Sequence, residues 1–161
     1  MTLNGFRIVA LNGILMILAG MVLAGFPLAF LVMRDVYDQP PPIDVGGDYR
    51  GWVMAHLEGL LNGLLVIALG AVTLIRRPMK PGRQAFLVPA LLIAGWGNVI
   101  AAILAPALNV RGMAVDASLA NNIVWGIFTV ALIASFYAFY AVVAHLIPKI
   151  EDETPGDNHA V

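Results

Sequence analysis

The sequence contains no cysteine. Disulfides, thiolate metal ligands and a cysteine nucleophile are therefore excluded. Charge is scarce as well. Only 12% of the residues are Asp, Glu, Lys or Arg, against about 25% in an ordinary soluble domain. Nine basic and ten acidic side chains leave a formal net charge of −1, which gives no reason to expect nucleic acid as a partner. Common catalytic signatures are missing: no Gly-x-Gly-x-x-Gly after a strand, no P-loop, no His-Glu-x-x-His and no Gly-x-Ser-x-Gly. Of the three histidines, no two have ligand spacing within one helix, so a zinc site would need ligands from distant segments.

What the chain does have is apolar length. Apolar residues make up 60% of its 161 positions. Four runs, at about residues 8–33, 53–75, 85–108 and 123–147, are long enough to span a bilayer, which takes ~20 helical residues. They lack the strict alternation of barrel strands. The expected fold class is all-α, an integral membrane four-helix bundle. The first run is too long for a signal-peptide core and reads as a retained span. Pro27 is expected to kink it, and Asn12 is its one strongly polar residue.

Residues 1–149 form the membrane domain, and the acidic tail 150–161 is expected to be disordered. The 76–84 loop holds Arg76, Arg77, Lys80 and Arg83 and no acid, whereas the 34–51 loop holds four aspartates. By the positive-inside rule the basic loop is cytoplasmic, which puts both termini in the cytoplasm. A multi-pass protein of a bacterial-type inner (cytoplasmic) membrane is expected.

The stretch 52–70, WVMAHLEGLLNGLLVIALG, carries His56, Glu58 and Asn62 inside a span. An ionisable residue at a span centre costs roughly 2.5–3.5 kcal/mol on insertion scales, so chemistry is sought here. His56, Gly59 and Gly63 fall on one helix face. A histidine above two glycines leaves a shallow groove, and either a neighbouring helix or a flat cofactor fits it. Glu58 and Asn62, four apart, share another face. They form either one internal hydrogen bond or a polar pair lining a cavity. In the third span Asn98 lies on a face with Ala94, Ala101, Ala102 and Ala105, a packing seam or a pocket wall. A lone histidine with an open opposite side suits an axial haem ligand.

The motif Ala55-His56-x-x-Gly59-x-x-Asn62-Gly63 resembles the second span of the small membrane isomerases that include styrene oxide isomerase and hydroxylaminobenzene mutase. Trp52, Gly95-Trp96-x-Asn98-Val99, Arg111-Gly112 and residues 13–17 resemble the styrene oxide isomerase side, while Ala55-His56-Leu57-Glu58-Gly59 reads more like the mutase side. The resemblance implies a homotrimer that binds haem b between neighbouring subunits. It implies His56 as the axial ligand of the iron, with Gly59, Gly63, Trp96 and Asn98 around the cofactor. It places Asn62 at the epoxide oxygen, with Glu58 as a second catalytic candidate. The implied reaction is the redox-neutral rearrangement of an aryl epoxide to an aldehyde. Its small apolar aromatic substrate would arrive from the lipid. That family has an aspartate and a tyrosine where this chain has Ala94 and Ala102, and no counterpart of Glu58. The rival readings are an arylhydroxylamine mutase and a non-catalytic haem-binding membrane protein.

Overall fold

The computed structural model describes residues 1–75 and 79–147. The tail, its His159, and Arg76 and Arg77 of the basic loop lie outside these residues. Among the described residues there are helices and no strands. Helix α1 (Leu3–Ala19), a π turn (Gly20–Ala24) and α2 (Gly25–Asp35) run on as one span, followed by α3 (Tyr49–Val72), α4 (Pro81–Ala107) and α5 (Leu119–Leu146). All four spans are long and apolar enough to cross a membrane.

The helices begin a turn before the apolar runs because polar residues cap them. The Asp48 carboxylate accepts the Gly51 N–H at 2.6 Å, and the hydroxyls of Thr2 and Ser118 do the same for Gly5 and Asn121. Pro81 opens α4 at a position where its missing N–H costs nothing. In the first span the irregularity falls before Pro27, not at it. Proline has no N–H to give the Leu23 carbonyl, so the ladder loses its α register one turn upstream. There the Gly25 N–H reaches back five residues to the Gly20 carbonyl, a π bond of the kind often found at functional sites.

Helices α3 and α4 form the middle of the bundle. The first span packs along α3, and α5 packs almost wholly on α4. Glycines set the α1–α3 distance. A Cβ built on Gly20 would stand 2.8 Å from the Gly59 Cα, and one on Gly13 would stand 2.7 Å from the Gly63 carbonyl oxygen. The groove beneath His56 is thus filled by the first span, and the packing alternative holds for Gly59 and Gly63. No open surface for a flat cofactor remains on them.

Met1, the end of α3 and the start of α4 gather at one end of the bundle. The Gln84 carboxamide accepts from the Thr2 N–H at 2.7 Å and donates to its hydroxyl at 2.9 Å. At the other end the Trp52 indole donates to the Gly46 carbonyl at 2.6 Å, and the Gly112 N–H donates to Asn121 Oδ1 at 2.8 Å. Gly112 has a φ of 62°, open to glycine at little cost. Trp52, Gly112 and Asn121 therefore fasten the loops at this end. Large apolar side chains such as Leu61, Ile133 and Phe136 are exposed on the outside of the bundle.

Candidate functional site

His56 is the eighth residue of α3 and lies where the π turn passes. Its Nδ1 is 3.0 Å from the Gly20 carbonyl oxygen. A carbonyl oxygen only accepts, so Nδ1 carries the proton, and in the neutral ring Nε2 keeps a lone pair. Among the described residues no hydrogen bond engages Nε2, and the side chain is only half-buried. The ring rests on Gly25, where a Cβ would come within 3.4 Å of Nδ1. This is the arrangement of a metal-binding histidine, in which one nitrogen is tied to a carbonyl and the other is free. Among the described residues no three His, Asp or Glu side chains converge as a metal cluster. A ligand to His56 would have to bring its own remaining donors, as a porphyrin does.

The second feature crosses from α3 to α4. The Asn62 amide donates to the Glu58 carbonyl at 2.9 Å and to Glu58 Oε2 at 2.5 Å. Asn62 Oδ1 accepts from Asn98 Nδ2 at 3.2 Å. The internal pair foreseen on α3 thus exists, and it extends to a neighbouring helix. Asn62 is buried, at 9% exposure. Both of its N–H groups are used, so it has no donor left for a substrate oxygen. The groups with spare capacity are the second N–H of Asn98 and Glu58 Oε1. Glu58 and Asn98 are both half-buried.

Trp96 faces the other way. Its indole N–H donates to Asn12 Oδ1 at 3.0 Å, which ties α4 to α1. The Asn12 amide in turn donates to the Ile8 carbonyl at 2.9 Å. Trp96 and the otherwise unexplained Asn12 therefore satisfy each other. Around Asn98 the small residues Ala94, Ala101 and Ala102 are buried, so that face is mainly a packing seam. Ala102 packs beside Ala55 and Trp52.

The family profile described as Styrene oxide isomerase matches residues 6–147, nearly the whole helical part. The chain belongs to the styrene oxide isomerase family. No curated protein matches it. The family name points to an isomerase, and the four apolar spans make it a multi-pass membrane protein.

Against that family, Gly20 and Gly25 were not singled out from the sequence. Gly13 and Gly20 stand seven apart on one helix face, opposite Gly63 and Gly59, and that spacing was the available signal. His56 and Glu58, two residues apart, sit at nearly the same depth but on roughly opposite sides of α3. His56 and the Glu58–Asn62 pair therefore lie on separate faces of α3.

Proposed function

We propose that this protein is a haem b-dependent isomerase that converts an aryl epoxide of the styrene oxide type to the aldehyde. The observation that carries the reading is the His56 ring, with Nδ1 bonded to Gly20 and Nε2 free, in a chain of this family. His56 would hold the iron through Nε2. When bound, ferric haem supplies a Lewis acid for the epoxide oxygen. The benzylic C–O bond opens, a hydride moves from the adjacent carbon to the developing cation, and no atom or electron is gained or lost. Asn98 offers its spare N–H to the oxygen as negative charge grows there. The apolar helix faces keep out water, which would otherwise trap the cation as a diol.

A homotrimer suits this reading. His56 and the Glu58–Asn62–Asn98 cluster lie on opposite sides of α3, so two neighbouring subunits would supply the two halves of one pocket. The apolar substrate would enter from the lipid. The basic 76–84 loop supports an inner-membrane orientation with both termini in the cytoplasm. His145, one residue before the end of α5, is at the far end of the bundle from His56. It is out of reach as a second axial ligand in the same subunit, which argues against a bis-histidine electron carrier.

Purified protein is expected to turn styrene oxide into phenylacetaldehyde without reductant. Diol as product, or strict need for an electron donor, would count against the rearrangement. Asn98→Ala is expected to lower turnover about tenfold, the worth of one hydrogen bond to a charged group, with the haem spectrum unchanged. Unaltered kinetics would take Asn98 away from the substrate.

One observation favours a second reading. Glu58 Oε2 bonds Asn62, and among the described residues Oε1 has no hydrogen bond; a carboxyl group can pass a proton to a hydroxylamine oxygen. An arylhydroxylamine assayed on the same preparation separates mutase from epoxide isomerase.

A further inference from the structure

We propose that the Gly20 carbonyl is a positioning group for the axial ligand. Held sideways by the π turn, it fixes His56 as the Nδ1–H tautomer and aims Nε2 outward. The proposal rests on the haem reading above and adds a residue to it. In an α register the Gly20 carbonyl would bond Ala24 and point along the helix axis. In the observed register it takes the Gly25 N–H instead. The wider turn leaves its second lone pair for His56, 3.0 Å away.

Two glycines make the contact possible. Gly20 and Gly59 let the backbones of the first span and α3 meet, and the ring lies over Gly25, where a Cβ would stand 3.4 and 3.7 Å from its Nδ1 and Cε1, an ordinary contact. A ring so bonded cannot flip its nitrogens or rotate freely. It also donates more electron density through Nε2, because hydrogen bonding at Nδ1–H strengthens the opposite nitrogen as a ligand. The π turn therefore has a chemical purpose beyond accommodating Pro27: it sets how strongly the iron is held and how readily it stays ferric.

Nitrogen NMR on the full chain, labelled at histidine and free of haem, tests the tautomer directly. His56 is expected to be protonated at Nδ1 and bare at Nε2. The reverse tautomer overturns the proposal. In haem-loaded protein, deletion of Leu23, an outward-facing residue of the π turn, is expected to restore the α register. The Fe–His stretching frequency of the ferrous form should fall, the reduction potential should rise, and haem retention should weaken by about 10- to 100-fold. An unchanged frequency also overturns it. Should the deletion not fold, Gly25→Ala adds an ordinary contact against the ring and is expected to shift the same frequency by less. If the unaltered chain takes up no haem, the functional reading fails, while the NMR result still decides for or against the Gly20–His56 bond.

Discussion

The unaltered chain, purified from membranes, is expected to show a Soret band and His56→Ala to be colourless. Turnover of the epoxide should fall by roughly a thousandfold. That figure follows from the several kcal/mol that a Lewis acid contributes to stabilising developing charge, at ~1.4 kcal/mol for each factor of ten. The substitution removes a side chain with the geometry of a ligand: Nδ1 bonded to Gly20 and, among the described residues, no partner on Nε2. It removes the one bond from the imidazole to the Gly20 carbonyl and leaves the close glycine contacts between the first span and α3 in place. A variant that kept its Soret band would move the axial ligand elsewhere. A colourless but fully active unaltered protein would end the haem mechanism altogether.

Gly59→Ala is expected to have the largest effect on the fold. The added Cβ would run into the Cα and N of Gly20, backbone atoms that no side-chain rotation can move away. The first span and α3 must then part. Overpacking of this kind costs about 1–3 kcal/mol, and the upper end is expected where backbone meets backbone. Thermal unfolding in detergent should shift down by several degrees. The same separation would draw the Gly20 carbonyl away from His56, so haem retention should weaken with stability. Gly126→Ala is the control, since nothing lies within 4 Å of a Cβ there. Equal stability of the two variants would show that the glycine contact is not a close one in the folded protein.

The four spans were legible because a bilayer imposes length and hydropathy on any helix that crosses it. Their ends were not, because Asp48 and Ser118 act through single capping bonds outside the apolar runs. The polar pair of Glu58 and Asn62 was legible as a spacing of four on one helix. Its extension to Asn98 was not, because helix periodicity says nothing about which faces of two helices meet. His56 presented the same limit. The sequence placed it above Gly59 and Gly63 and left open what lay against them, a helix or a flat ring. The answer depended on Gly13 and Gly20 in another span. Trp96 stood among the cofactor candidates through the family resemblance, yet its N–H is already bonded to Asn12. The π turn was hidden for another reason. A proline tells of a missing donor, but where the ladder takes up the slack depends on nearby glycines able to bend.

The Asn62–Asn98 bond joins two spans that follow one another in the chain. This bears on how the protein enters the membrane during synthesis. Alone, α3 would carry Glu58 and Asn62 into hydrocarbon with only each other for company, a costly passenger for a newly inserted helix. Its external partner arrives with the very next helix to leave the ribosome. Insertion of α3 and α4 as a hairpin would shelter the polar cluster from lipid almost as soon as it forms, before α5 has been made.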